Sequence, residues 1–155
     1  MTRFAHRMPA WQHRCLVTCA NLLLASGVVW LVVHYSIGAG TGELPHPAEA
    51  WSLRVHGLAA FAGLFMFGTL AGGHIPQGWR LSHRQRWAAQ RGTGLALCSL
   101  GAALVGTGYL LYYFAPEPLR PALGWLHTAL GLVAAAVGLW HGRRHGVAFG
   151  PTGKR

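Results

Sequence analysis

Four long apolar runs constrain the fold of this chain more than any other feature. They occupy about residues 15–37, 51–75, 92–115 and 122–141. Each run is long enough to cross a hydrocarbon core of about 30 Å as a helix. A bilayer offers no water to the backbone, so runs of this kind must satisfy their own hydrogen bonds as helices. The sequence therefore predicts an all-α integral membrane protein, a single domain over residues 1–155 forming a four-helix up-down-up-down bundle.

Composition supports the membrane assignment. Hydrophobic residues make up 52% of the chain and charged residues only 10%, against about 25% charged in soluble domains. A net charge of +10 in a soluble protein would suggest nucleic acid, but here the basic residues lie between apolar runs. Contact with membrane lipid, not nucleic acid, accounts for them better. The basic segment before the first apolar run also fits a signal peptide. The run is longer than the apolar part of a typical signal peptide, so we expect that it is not cleaved and forms the first membrane helix.

The distribution of basic residues predicts the topology. The N-terminal segment, the connection between the second and third runs, and the C-terminal tail hold eleven of the thirteen lysines and arginines. The positive-inside rule then places both termini in the cytoplasm. We expect a multi-pass protein of a bacterial inner membrane.

Histidines inside the second and fourth runs are the candidate functional residues. His127 and His141 are 14 residues apart, which returns them to within about 40° of one helix face and separates them by about 21 Å. His56 and His74 are 18 residues apart, or about five turns and 27 Å. Ionisable side chains at membrane depth need partners and point to function. Two helices with a histidine near either end are suited to holding two haems, one above the other.

The expected topology pairs these histidines. The second and fourth helices run in the same direction, so His56 and His127 lie at the outer level, and His74 and His141 at the inner level. Neutral imidazoles are suitable axial ligands for haem iron. The chain has no Cys-x-x-Cys-His sequence, so the predicted cofactors are two non-covalent haem b.

Small residues lie near these histidines in the sequence, and two further histidines are candidates for the same roles. A macrocycle between helices needs small neighbours, and the candidates are Gly57, Gly63, Gly131 and Gly138. Close helix packing is the alternative role of such glycines. His34 could replace a ligand, bind a haem propionate or line a quinone pocket. His145 competes with His141, because its interval from His127 equals the interval between the two histidines of the second run.

Several short motifs carry a resemblance to a known family. They are Trp51-x4-His56-Gly57, Gly73-His74-x4-Trp79-Arg80, Gly106-Thr107-Gly108-Tyr109-Leu110-Leu111-Tyr112-Tyr113, Trp125-x-His127-x3-Gly131 and His141-Gly142-Arg143. Over roughly residues 20–144 the chain resembles small bacterial di-haem b-type cytochromes, which are similar to the cytochrome b subunits of membrane oxidoreductases. The paired histidines are the specific part of this resemblance.

The resemblance implies transmembrane electron transfer between the quinone pool and a redox protein partner or catalytic subunit. An iron with two histidine ligands has no open position, so the protein by itself need not be an enzyme. The alternative function is a haem-free protein that binds or moves a transition-metal ion through its intramembrane histidines. A third possibility is a structural anchor whose histidines form hydrogen bonds between helices.

Overall fold

The computed structural model describes residues 8–82 and 88–147. Five α-helices cover most of this part of the chain: α1 is Ala10–Ile37, α2 is Pro47–Gly72, α3 is His74–Ser82, α4 is Ala88–Tyr113 and α5 is Arg120–Val147. A short 3-10 helix, Ala39–Thr41, follows α1. No strand occurs among the described residues. The predicted all-α class is confirmed.

Four of the helices, α1, α2, α4 and α5, are long and apolar enough to cross a membrane. Their large side chains lie mostly on the outside: Leu58 is 73% exposed, Phe61 74% and Phe65 69%. Such surface is compatible with lipid, because an apolar side chain loses nothing by facing an acyl chain. The four predicted spans are therefore confirmed as a multi-pass set of helices.

The helices form two compact units, one containing α1 and α2 and the other containing α4 and α5. In the first unit the contacts run in opposite order along the two helices, with His34 beside Glu49 and Ser26 beside His56. This is an antiparallel hairpin. The second unit is also an antiparallel hairpin, in which Thr107 meets His127 and Thr93 meets His141. The packing of the two hairpins into one bundle stays a prediction.

The connections differ from the sequence-based expectation in two places. Helix α2 begins at Pro47 rather than near 51, because His46 caps it: the His46 side chain accepts from the Ala48 N–H, and Glu49 accepts from the His46 N–H. Proline suits the first helical position, where its missing N–H is not needed. The expected basic loop 77–91 is partly helical, since α3 extends to Ser82 and α4 starts at Ala88.

Candidate functional site

Helix α5 presents two histidines to α4. Nδ1 of His127 lies 2.8 Å from the Thr107 hydroxyl, and Nδ1 of His141 lies 2.7 Å from the Thr93 hydroxyl. The interval between the two threonines equals the interval between the two histidines. Because both helices repeat at the same period, the second contact reproduces the first about 21 Å along the hairpin. The two imidazoles share one face of an unbroken helix, as their spacing predicts.

A glycine follows each of these threonines and lies against the same imidazole. A methyl group added at Gly108 would lie 3.4 Å from Cε1 of His127, and one added at Gly94 would lie 4.0 Å from Cε1 of His141. Both distances are those of ordinary van der Waals contact, so each ring lies directly against the α4 segment that carries the threonine and the glycine.

The first hairpin contains the same arrangement once. Nδ1 of His56 lies 3.0 Å from the Ser26 hydroxyl, and a methyl group at Gly27 would lie 3.6 Å from Cε1 of His56. A hydroxyl residue followed by glycine, facing a histidine of the neighbouring helix, therefore occurs three times. We call these three sets the hydroxyl–glycine–histidine contacts.

The hydroxyl groups bear on which ring nitrogen carries the proton. Ser26 donates to the Leu22 carbonyl at 2.6 Å, and Thr107 donates to the Ala103 carbonyl at 2.8 Å. A hydroxyl has one hydrogen and two lone pairs. A hydroxyl that donates to a carbonyl has only lone pairs to offer the imidazole, and an imidazole that bonds to it must then donate from Nδ1. In that tautomer Nε2 carries the lone pair, which is the form in which a neutral imidazole binds a metal.

His74 differs from the other three predicted ligands. Helix α2 ends at Gly72, and His74 is the first residue of the separate helix α3, where its side chain is exposed. The expectation that His56 and His74 lie on one continuous helix is therefore wrong. The reason is local: the two glycines weaken the helix, and Pro76 suits the first turn of a new one. The side chain of His145, the competitor of His141, lies outside the described residues.

His34 belongs to a polar cluster at the α1–α2 connection. Its Nδ1 lies 2.8 Å from Oε2 of Glu49, and Oε1 of the same carboxylate accepts from the backbone N–H groups of Ala39 and His46, each at 3.0 Å. Glu49 is only 7% exposed. Its charge is compensated by these donors, as a buried carboxylate requires. We call Glu49 and its three donors the Glu49 cluster.

The Glu49 cluster fixes the end of the hairpin. Gly38 packs directly against the Glu49 carboxylate, and Gly40 packs against the His34 ring, where an added methyl group would lie 2.8 Å from Cδ2. The His34 ring also stacks on Trp30 at 4.5 Å between centroids. In the first hairpin His34 is therefore bound to a carboxylate, whereas His56 is bound to a hydroxyl.

The four candidate glycines divide into two groups. Gly63, Gly131 and Gly138 each face a leucine of the neighbouring helix in their own hairpin, with 3.9 Å from an added methyl group to a leucine Cδ atom. This is the close packing that small residues allow between membrane helices. Gly57 faces open space in its hairpin, so it alone has room beside it for another group.

Sequence reasoning did not identify Ser26, Thr93 and Thr107 as partners of the histidines, although Thr107 belongs to one of the motifs that carry the resemblance. A signal for two of them was present, because the tripeptide Gly-Thr-Gly occurs at 92–94 and again at 106–108, at the same interval as the two α5 histidines. No comparable repeat marks Ser26. Comparisons of the chain with protein-family models, with curated proteins and with solved structures found no match.

Proposed function

We propose that this protein is a di-haem b cytochrome that transfers electrons across a membrane. The observation that carries the proposal is the pair His127 and His141: two half-buried imidazoles on one face of a membrane-length helix, at two depths, each with Nδ1 bonded to a threonine. Histidines that bind metals commonly donate their other ring N–H to a neighbouring acceptor, which fixes the ring and its tautomer. The chain repeats this arrangement at both depths.

The histidines of both hairpins have the chemistry that haem iron needs. Nδ1 of His56, His127 and His141 is engaged by a hydroxyl group, and each imidazole could offer Nε2 to the iron. The pairing of His56 with His127 and of His74 with His141 rests on the sequence-based topology. A haem with two histidine ligands supplies a one-electron carrier without an open coordination position.

The surroundings of these residues suit that role. The helices are apolar along their length, so a hydrophobic macrocycle would be bound by apolar side chains rather than by water. We further propose quinone as the small redox partner, a redox protein or catalytic subunit as the second partner, and a bacterial inner membrane with both termini in the cytoplasm as the location. These parts rest on the resemblance and on the basic residues of the connections.

A haem-free metal-ion protein would need a different set of ligands. Within residues 8–82 and 88–147, no three histidine, cysteine or carboxylate side chains lie close enough together to hold a metal ion. A transition-metal ion without a macrocycle needs about that many protein ligands. A haem iron needs only axial ligands, because the porphyrin provides the other four.

A structural anchor would use the same interhelical hydrogen bonds and bind no cofactor. Haem content separates the two functions. We expect the protein purified from haem-sufficient cells to contain about two haems per chain, extractable with acid acetone, and to show a six-coordinate spectrum after reduction with dithionite. His127→Ala and His141→Ala should each remove one haem. Protein without haem, or variants that both keep two, would contradict the proposal.

A further inference from the structure

We infer that Ser26, Thr93 and Thr107 are positioning residues for the three histidines: each hydroxyl accepts the Nδ1 hydrogen and holds Nε2 as the ligand nitrogen. This inference rests on the proposed function for its consequence at iron, but the tautomer itself does not require a cofactor. The contacts are the distances of 3.0, 2.7 and 2.8 Å from these hydroxyl oxygens to Nδ1.

For Ser26 and Thr107, the direction of the bond is inferred from the other contact of the hydroxyl. Ser26 and Thr107 direct their hydrogens at carbonyls of their own helices, one turn earlier. This leaves only lone pairs for the imidazole. Thr93 occupies the equivalent position nearer the start of the same helix and contacts the second α5 histidine through the same ring nitrogen, so we assign it the same role.

The arrangement also explains the choice of residue type. A threonine or serine in a helix can bond the carbonyl one turn back and still present a lone pair outward. The glycine that follows each hydroxyl residue lies beside the same ring, and added methyl groups at Gly27 and Gly108 would be in van der Waals contact with the imidazoles at 3.6 and 3.4 Å. The orientation of the ring is therefore assigned to the hydroxyl.

A hydrogen bond from Nδ1 to a hydroxyl oxygen changes the electronic properties of the imidazole. Because the bond draws the Nδ1 hydrogen towards oxygen, Nε2 donates more electron density to the iron, which favours ferric over ferrous iron. Loss of the hydroxyl should therefore raise the midpoint potential of the haem at that level and leave the other one unchanged. If the hydrogen bond only holds the two helices together, loss of the hydroxyl should lower the stability of the protein and should not shift the midpoint potential of one haem alone.

The test compares Thr107→Val with Thr107→Ser and with the control Thr128→Val. Thr128 lies beside His127 in sequence, but its hydroxyl donates to the Gly124 carbonyl of its own helix at 2.9 Å. In the full-length protein, Thr107→Val should shift the ferric–ferrous equilibrium of one haem about tenfold, or about 59 mV for a one-electron couple. Thr107→Ser and Thr128→Val should keep both potentials. Equal shifts in Thr107→Val and Thr128→Val, or in Thr107→Val and Thr107→Ser, would overturn the inference.

A second pair tests the first hairpin. Ser26→Ala removes the acceptor of His56, whereas the control Ser52→Ala removes a hydroxyl that donates to the Ala48 carbonyl at 2.6 Å. Both serines are 7% exposed, so each change removes one buried hydroxyl group. Only Ser26→Ala should raise a midpoint potential, and a shift of the same size in Ser52→Ala would count against a role specific to His56.

Nitrogen NMR of the wild-type protein labelled at histidine keeps the inference separate from the proposed function. If the purified protein binds no haem, the di-haem proposal fails, but the imidazole tautomers remain measurable. His56, His127 and His141, assigned by comparison with their Asn variants, should then show a protonated Nδ1 and an unprotonated Nε2. The opposite tautomer at His56 and His127 would overturn the inference even if haem is present. This measurement also decides the matter if Thr107→Val does not fold.

Discussion

The spacing of the two histidines in α5 can be tested by inserting a single alanine into the Ala134–Ala136 run. This run lies between His127 and His141 and is helical throughout. One added residue rotates everything after it by about 100° and moves it about 1.5 Å along the helix axis. His127 stays in phase with Thr107, whereas His141 turns away from α4.

The expected displacement follows from the helix dimensions. A side chain about 5–6 Å from the axis moves by roughly 8–9 Å when the helix turns through about 100°. The Nδ1 of His141 now lies 2.7 Å from the Thr93 hydroxyl, so a movement of that size removes the contact completely. We expect the haem content of the full-length protein to fall from about two to about one per chain, with the remaining haem keeping the potential of the His127 site.

The matched control is the same insertion after Gly142. It leaves His141 in place and turns only the residues beyond it, including His145. Pyridine haemochrome assays and redox titrations of both variants would measure the outcome. Two retained haems with native potentials in the first variant would refute the role of the His127–His141 spacing. Loss of a haem in the control would identify His145 as the ligand.

Three further predictions concern single positions. His74→Ala should remove the same haem as His141→Ala, because the sequence-based pairing assigns both imidazoles to one iron. A His74→Ala variant that keeps about two haems in the haemochrome assay would contradict that pairing. Gly38→Ala should lower the melting temperature, followed by circular dichroism in detergent, more than Gly42→Ala does, because a methyl group at Gly38 collides with the Glu49 carboxylate. Gly42 lies in open space with φ of 86°, so its substitution costs about 1–2 kcal/mol of backbone strain; a larger effect at Gly42 would refute the packing argument. A reporter fused at Gly42 should behave as periplasmic and one at the C-terminus as cytoplasmic, and the reverse pattern would invert the predicted topology.

The sequence by itself determined the four membrane-length helices and the common face of His127 and His141. Both follow from local properties. An uncharged apolar run of sufficient length forms a helix in a bilayer, and the helical period places these two residues near the same side. The exact ends were less predictable: α2 starts at Pro47 because a side chain of the preceding loop, His46, caps it.

The end of α2 shows where local reasoning was insufficient. The sequence suggested one continuous helix from His56 to His74, and the structure ends that helix at Gly72. Glycine, glycine and proline in close succession favour a break, but whether the chain stops or bends there depends on what the next residues can form. Here they form α3.

Only the tertiary structure revealed the partners of the histidines. Ser26 and His56 are 30 residues apart, and Thr93 and His141 are 48 apart. These contacts depend on the register and rotation of one helix against the next. Helices that are apolar all round offer no amphipathic pattern from which that rotation can be read. The Glu49 cluster has the same origin, since Glu49 reaches His34 only because the connection returns α2 along α1. Helix formation is local and was predictable from sequence, whereas the hydroxyl and carboxylate partners of the histidines required the packed hairpins.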